Sequence, residues 1–193
     1  MTPTEFASRL CLRPFSDENE SDYGRFGPAT PLKRAAVLIP VINRENGLHI
    51  LLTQRANHLR NHPGQISFPG GKHDEVDDTL TDTAIRESEE EIGLNTRKIQ
   101  PLGWLPELHT VSHFTMSPLV ALVDGNQTFV ANEDEVSDIF EVPLAYLMAR
   151  KHQFYLTPEW QGKPSKIHFI RFENKLIWGA TAAILQKLIR HIE

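Results

Sequence analysis

The chain has 193 residues, which fits one domain, or one domain with a terminal extension, and disfavours a separate second core. Its composition, with 40% hydrophobic and 23% charged residues, is that of an ordinary soluble globular protein. The formal net charge of -5 argues against a general polyanion binder, so we expect no nucleic-acid partner. An anionic ligand would have to be bound by local positive charge.

The cysteine content and the apolar runs limit where the protein can reside. Cys11 is the only cysteine, which excludes an intramolecular disulfide and a thiolate cluster and favours a reducing compartment. The stretch MTPTEFASRLCLRPF has no apolar run typical of a signal peptide, and the longest apolar block, Ala35 to Ile42, is too short to span a bilayer. We therefore expect a cytoplasmic protein with no membrane partner.

The first predicted element is a short helix. Thr2 as N-cap, Pro3 at the first helical position and Glu5 reaching back predict a helix from Pro3 to about Leu12. The polar stretch from Ser16 to Pro31 is predicted to be a surface loop. We interpret residues 1–34 as an N-terminal helix and loop extension, and residues 35–193 as the main domain.

Apolar runs separated by turn signals predict a β-sheet after this extension. The predicted strands are Ala35 to Ile42, Leu48 to Thr53, roughly Gln100 to His109 and Phe114 to Val123. Helical spacing of apolar residues predicts helices from Thr79 to Ile92 and from about Thr181 to Ile192. Val136 to Met148 is predicted to be a strand ending near Pro143 and then a short helix, and Phe154 to Trp178 a pair of β-hairpins with Asn174 and Lys175 at one turn.

The stretch RESEEEIGL, Arg86 to Leu94, places four glutamates at the end of a predicted helix. Like charges three and four residues apart repel each other, and near the C-terminus they also oppose the helix macrodipole. At about 100° per residue, an apolar and an acidic stripe lie on different faces. The apolar stripe holds Ala84, Ile85, Ser88 and Ile92, the acidic stripe holds Glu87, Glu90 and Glu91, and Glu89 points away with Arg86 and Asp82. Gly93 then supplies the left-handed residue that ends the helix.

Two interpretations of the acidic stripe remain open from the residues alone. A run of glutamates is usually a solvated face. Here, however, the sequence FPGG, Phe68 to Gly71, precedes the helix, and its glycines allow a backbone carbonyl to approach a ligand closely. Mg²⁺ prefers carboxylate oxygens together with phosphate and water, and a bound Mg²⁺ would remove the repulsion among the glutamates.

The segment GGKHDEVDDTLTDTAIRESEEEIGL, Gly70 to Leu94, resembles the Nudix box, G-x5-E-x7-R-E-U-x-E-E-x-G-U with U apolar. Its C-terminal half matches in register, with Ser88 where an apolar residue is usual. Its N-terminal half departs from the pattern. An alignment without a gap places Lys72 and Asp78 at the box glycine and glutamate, whereas one extra residue places Gly71 and Asp77 there, and we prefer the second.

A second motif lies directly upstream. LLTQRANHLRNHPGQISFPGG, Leu51 to Gly71, resembles the signature of the coenzyme A diphosphatase branch of Nudix hydrolases at every specified position. The resemblance implies a Nudix-type α/β/α sandwich with a mixed β-sheet, of the α/β (α+β) class. It also implies that Mg²⁺ or Mn²⁺ supports hydrolysis of the diphosphate bridge of coenzyme A or acyl-CoA, giving 3′,5′-ADP and 4′-phosphopantetheine or its acyl form.

The resemblance also implies roles for individual residues. The metal ligands would be Glu87, Glu90, Glu91 and the Gly70 carbonyl; the catalytic candidates Glu87, Glu90 and Glu135; the substrate-binding residues Arg55, Arg60 and Gly71. Arg86 would pair with a box carboxylate, and His58 and His62 would be further donors. Glu133 competes with Glu135 and Glu87 for the role of proton acceptor. Without the resemblance, the segment around Arg55 and Arg60 would be an ordinary basic loop.

Two other functions remain open from the sequence. One is a Nudix hydrolase for another nucleoside diphosphate derivative such as ADP-ribose. The other is a non-catalytic Nudix module that binds a nucleotide without cleaving it, which is disfavoured because Glu87, Glu90 and Glu91 are all present. The sequence also leaves open whether the chain is a monomer or a homodimer.

Overall fold

A computed structural model describes residues 1–15, 32–110, 112–160, 163–164 and 166–193. The predicted loop from Ser16 to Pro31 lies outside the described residues. None of the helices within the described ranges is long and apolar enough to cross a membrane.

The helices and most strands have bounds close to those predicted, but the strand expected from roughly Gln100 to His109 is divided into Ile99–Trp104 and Leu108–His109. The helices are α1 (Pro3–Leu12), α2 (Leu80–Ile92), α3 (Leu144–Met148) and α4 (Ala180–Ile192). The strands are β1 (Lys33–Arg44), β2 (Gly47–Arg55), β3 (Ile66–Ser67), β4 (Gly70–Lys72), β5 (Ile99–Trp104), β6 (Leu108–His109), β7 (Phe114–Val123), β8 (Val136–Pro143), β9 (Gln153–Leu156), β10 (Glu159–Trp160), β11 (Lys163–Pro164), β12 (Ile167–Phe172) and β13 (Lys175–Trp178).

The main sheet is mixed, as expected. Strand β1 runs parallel to β7 and antiparallel to β2, while β5 and β8 pair antiparallel with β7 and β2. The short strand β4 pairs with the beginning of β1, so that Gly71 lies opposite Ala36. This pairing brings the glycine pair beside the centre of the sheet.

Helices cover both faces of this sheet. Along β1, alternate side chains point to opposite faces. Ala36 and Leu38 belong to the cluster that contains Ala84 of α2, whereas Val37 and Ile39 belong to a larger cluster that includes residues of α1, α3 and α4. The predicted α/β/α sandwich is confirmed, with the carboxylate helix α2 on one side.

The segment predicted as a pair of β-hairpins forms a different arrangement. Strands β9 and β13 both pair antiparallel with β12 in a three-stranded sheet, and β10 and β11 form a separate two-stranded ribbon. The turn between β12 and β13 lies at Glu173 and Asn174, one residue earlier than predicted, and Glu173 adopts φ 51°. The hairpin of β12 and β13 is thus confirmed, while β9 joins it as a third strand.

Helix α1 docks on α4, so it shares the main core. Phe6 and Leu10 are buried in the larger cluster, and the Arg9 Nη1 atom donates to the Ile192 carbonyl at 2.8 Å. The Thr2 hydroxyl caps α1 by accepting from the Glu5 N–H at 3.2 Å. The Glu5 carboxylate accepts from Arg9 at 2.8 Å, whereas the sequence predicted that it would reach back to the cap.

We expect α1 to contribute to stability through Phe6. Phe6→Ala should lower the free energy of unfolding by about 3–5 kcal/mol, because it removes a fully buried ring and leaves a cavity. Leu12→Ala, at a position that is 80% exposed on the same helix, should change it by less than about 0.5 kcal/mol. Urea denaturation of both variants measures the difference, and equal stabilities would contradict the docking of α1.

Candidate active site

Helix α2 is fixed at both ends by its own sequence. The Thr79 hydroxyl accepts from the Asp82 N–H, and the Asp82 carboxylate accepts from the Thr79 N–H at 2.8 Å. At the other end Gly93 adopts φ 63° and donates to the carbonyl of Glu89. These caps determine where the helix begins and ends, and the packing of Ala84 and Ile92 determines which side faces the sheet.

Ser88 occupies the position where the Nudix box usually has an apolar residue. The side chain is fully buried, and its hydroxyl donates to the Ala84 carbonyl at 2.6 Å. Because this bond lies within the helix, the buried polar group is satisfied without a partner from the sheet. The departure from the pattern is therefore accommodated within α2.

Glu91 is a buried carboxylate, only 3% exposed. Its Oε2 atom accepts from the Gly70 N–H at 3.4 Å. The pKa of Glu91 is raised to about 8, chiefly by burial; the Gly70 N–H and the Arg55 charge act to lower it, and the negative charges of Glu135 and Glu87 act to raise it. Glu91 thus lies within electrostatic reach of Glu87, Glu135 and Arg55, which come from three different segments.

The glycine pair leaves room for these carboxylates. A Cβ atom at Gly71 would lie 2.4 Å from the carboxylate of Glu87. Gly70 adopts φ 146°, and a Cβ atom there would lie 2.4 Å from the Ala36 carbonyl oxygen. A side chain at Gly71 would push α2 away from β4, and one at Gly70 would push β4 away from β1, so both glycines are a packing requirement of the site.

The structure corrects the predicted orientation of Arg86. This side chain was expected to point away from the acidic stripe with Glu89, but its guanidinium donates to both oxygens of Asp77 at 2.8 and 3.0 Å. It also lies 2.9 Å from Glu87 and 3.1 Å from Glu90. The prediction that Arg86 pairs with a box carboxylate is thereby confirmed.

Asp77 stands at the first acidic position of the box in the alignment with one extra residue. Besides the two bonds from Arg86, its carboxylate accepts from the Thr83 hydroxyl at 2.9 Å and from the Asp74 N–H at 3.1 Å. Its pKa is well below the usual range, chiefly because of the hydrogen bonds from Arg86. Asp77 is buried and Asp78 is exposed, which favours the alignment with one extra residue.

Glu87 and Glu90 differ in their surroundings. Burial raises the pKa of Glu87, while Arg86 lowers it and the charges of Glu90 and Glu135 raise it. The Glu90 side chain is 53% exposed and is held by Arg86 at the rim. Glu87 and Glu91 therefore form the inner pair of carboxylates, and Glu90 lies outside it.

Glu135 reaches this site through backbone contacts of its loop. The loop is tied to the end of α2 by two hydrogen bonds, from the Val130 N–H to Ile92 O and from the Asn132 N–H to Glu91 O, both at 3.0 Å. The carbonyl of Glu135 accepts from the Ala56 N–H at 2.8 Å. Glu133 is exposed on the same loop, so the geometry favours Glu135 as the loop acid of the site.

The two arginines of the upstream motif are placed differently. Arg55 ends β2, is half-buried, and its charge acts on Glu91. Arg60 is exposed in the following loop, where no hydrogen bond or ion pair of its side chain occurs among the described residues. His58 Nε2 lies 3.1 Å from the Asp134 carbonyl oxygen and so holds the two loops together. His62 is exposed and adopts φ 53°.

The donor set is chemically suited to a hard divalent cation. No group of three His, Cys, Asp or Glu side chains in the described part of the chain stands in chelating geometry as it is. Glu87, Glu90 and Glu91 nevertheless supply only oxygen donors, and the mutual repulsion of Glu87, Glu91 and Glu135 shows in their effects on the pKa values. A divalent cation would relieve that repulsion, so the residues fit such an ion.

Comparisons with known proteins establish the family of this chain. The NUDIX domain family model matches residues 32–160. The uncharacterized Nudix hydrolase NudL of Yersinia pestis (strain Pestoides F) is 38% identical over 189 residues, covering 98% of this chain and 94% of the relative. The chain therefore belongs to the Nudix hydrolase family, whose members generally use divalent metal ions.

Solved structures show the same fold at low sequence identity. A MutT/nudix family protein from Enterococcus faecalis has a TM-score of 0.52 at 15% identity, over 100% of this chain and 74% of that chain. A NUDIX hydrolase from Alicyclobacillus acidocaldarius has a TM-score of 0.52 at 16% identity, over 84% of this chain and 93% of that chain. At this identity the likeness is informative about the fold alone.

The raised pKa of Glu91 predicts how the metal-free protein responds to pH. Between its ordinary value of 4.5 and about 8, the folded protein holds a proton that the unfolded chain has released. The free energy of unfolding should therefore fall as pH rises through this window, by about 1.4 kcal/mol for each pH step of one. Glu91→Gln removes the titrating group and should become more stable than the wild type as pH rises from 5 toward 8.

The measurement is denaturant unfolding between pH 5 and 8 in the presence of a chelator. Glu89→Gln, at an exposed position on the same helix, serves as the matched control and should follow the wild type. Stability curves of the wild type and Glu91→Gln that stay parallel across this range would show that Glu91 does not titrate there.

Proposed function

We propose that the protein hydrolyses the diphosphate bridge of coenzyme A and its acyl derivatives to 3′,5′-ADP and 4′-phosphopantetheine or the acyl form, with Mg²⁺ or Mn²⁺. The proposal depends on one observation: residues of the two motifs lie close together in one site. Arg55, from the motif that resembles the coenzyme A branch, acts electrostatically on Glu91 of the Nudix box. A cation beside metal-binding carboxylates is suited to an anionic diphosphate.

In this proposal the metal would be held by Glu87, Glu91 and the Gly70 carbonyl, with Glu90 as a further ligand or one that acts through water. When bound, the metal offsets negative charge on the phosphoryl oxygens and lowers the pKa of water. Gly71 is proposed to contact the substrate through its backbone, since a side chain at this position would overlap the Glu87 carboxylate.

The surrounding residues keep the ligands in place. The Asp77 carboxylate already accepts hydrogen bonds from Arg86, from the Thr83 hydroxyl and from the Asp74 N–H. It is therefore a positioning residue that fixes the guanidinium of Arg86. Arg86 in turn holds Glu87 and Glu90, so the loss of Asp77 should disturb both carboxylates.

Glu135 is the proton acceptor that the contacts favour. The Glu87 carboxylate is paired with Arg86 at 2.9 Å and is also a proposed metal ligand, so its oxygens are already engaged. Glu135 makes no side-chain hydrogen bond or ion pair within the described ranges, while its charge acts on Glu87 and Glu91. In this assignment Glu135 accepts a proton from the attacking water, and Glu90 assists at the rim.

Arg55 is proposed to contact a substrate phosphate, with Arg60 as a second contact from the exposed loop. A planar guanidinium binds phosphate through paired hydrogen bonds.

The cytoplasmic location expected from the single cysteine remains a prediction. The boundary between an N-terminal extension and the main domain at residue 34 also remains a prediction, although α1 packs into the same core as the rest of the chain.

The decisive experiment compares kcat/KM for coenzyme A, dephospho-coenzyme A and ADP-ribose, with product identification. Coenzyme A should be the best substrate. Arg55→Ala should lower kcat/KM for coenzyme A by roughly tenfold to a hundredfold, because it removes a charge-assisted contact of about 1.5 to 3 kcal/mol. Arg97→Ala, at an exposed arginine in a short 3-10 helix, is the control and should leave kcat/KM unchanged.

The loss of kcat/KM in Arg55→Ala on each substrate identifies which phosphate group Arg55 contacts. A contact to the 3′-phosphate would reduce the preference for coenzyme A over its dephospho form, whereas a contact to the diphosphate would lower activity on both substrates alike. ADP-ribose as the best substrate would overturn the coenzyme A assignment and leave the Nudix chemistry in place. Nucleotide binding without turnover on any substrate would identify a non-catalytic module.

A further inference from the structure

The outer face of the three-stranded sheet β9, β12 and β13 carries a row of aromatic rings. Phe169 on the central strand pairs in register with Phe154 on one side and Trp178 on the other. The ring centroids of Phe154 and Phe169 are 5.2 Å apart, and those of Phe169 and Trp178 are 6.5 Å apart, both stacked. The row therefore crosses the whole width of the sheet.

This face points away from the core of its own chain. Ile170 and Ile177, which alternate with the aromatic positions, are fully buried and face inward. On the outer face, by contrast, four large apolar side chains remain substantially exposed. They are Phe154 at 46%, Leu156 at 58%, Leu176 at 44% and Trp178 at 44%.

The outward positions of the three strands form one continuous apolar surface, which we call the aromatic face. They are Phe154 and Leu156 on β9, Ile167, Phe169 and Arg171 on β12, and Leu176 and Trp178 on β13. Arg171 is the only charged residue among these seven, and it lies in the row at one end of the face. A centre that is depleted of charge and has its polar group at the rim is the composition of a protein interface.

We infer that the aromatic face is the contact surface between two copies of this chain. The four exposed side chains alone present an apolar area on the order of 400 Å², as large as functional patches on monomers. A stable dimer buries about 800 Å² on each partner, with the most apolar part at the centre. The face therefore supplies the centre of such an interface, and neighbouring polar surface supplies the rim.

The shape of the face favours a second copy as its occupant. A sheet face packs well against another sheet face, and a twofold axis brings the same flat row of rings from the second copy. In a twofold arrangement with the strands antiparallel, the end of the face that carries Arg171 meets the opposite end of the partner's face. The two Arg171 side chains are then kept apart, so their like charges do not face each other.

The proposal is independent of the substrate, because no residue of the aromatic face belongs to the candidate active site. Sedimentation equilibrium of the wild-type chain at concentrations up to roughly 100 µM should give twice the chain mass of 22.0 kDa. Trp178→Glu should give the single-chain mass at the same concentrations, because it places a charge within the apolar contact.

Two further variants make the result specific. Phe154→Ser, at the other end of the aromatic row, should also give the single-chain mass, which guards against a folding defect of one variant. Leu12→Glu, at an 80% exposed position on α1, should keep the mass of the wild type. Circular dichroism verifies that each variant is folded. A wild type with the single-chain mass throughout, or dimers that persist in both folded variants of the aromatic face, would overturn the proposal.

Discussion

The close packing of an acidic helix face against the glycine backbone of β4 is the constraint on which the site depends. Glu87 and Glu91 approach Gly70 and Gly71 so closely that a Cβ atom at Gly71 would overlap the Glu87 carboxylate. Gly71 in turn pairs with Ala36 in the centre of the sheet. The carboxylates are therefore positioned by the buried centre of the sheet, where Ala36 is fully buried.

The negative charges of the site carboxylates are not all offset by a nearby positive charge. Arg86 offsets the charges of Asp77, Glu87 and Glu90, with Asp77 and Glu87 as its closest partners. Glu91 has no cation in contact among the described residues, and burial raises its pKa to about 8. The protein thus folds around a carboxylate that is costly to ionise, and a divalent cation at the same place would stabilise the ionised form. This local excess of negative charge is the physical basis of the proposed metal site.

Much of this arrangement could be predicted because it depends on local sequence. The caps Thr79 and Gly93 define α2, and helical spacing separates the buried stripe from the acidic one. The predicted orientation of Arg86 was wrong because a helical wheel gives only the direction of the Cα–Cβ bond. A long side chain can reach around the helix, as Arg86 does to contact Asp77.

Other features depend on contacts between distant segments. The approach of Glu135 to Glu91 depends on hydrogen bonds from its loop to the ends of α2 and β2, and no local pattern encodes them. The same holds for the pairing of β9 with β12, because the strand sequences predicted their existence but not their partners. The roles of the site residues and the identity of the substrate remain proposals for the same reason, since they depend on a ligand as well as on the chain.

The central claim is that the inner carboxylates of α2 bind the divalent cation. Calorimetric titration with Mg²⁺ and with Mn²⁺ tests it most directly, on the wild type, Glu91→Gln and the exposed control Glu89→Gln. The wild type and Glu89→Gln should bind with the same dissociation constant, while Glu91→Gln should bind at least about tenfold more weakly, a loss of about 1.4 kcal/mol. Equal affinity of Glu91→Gln and the wild type would contradict the account.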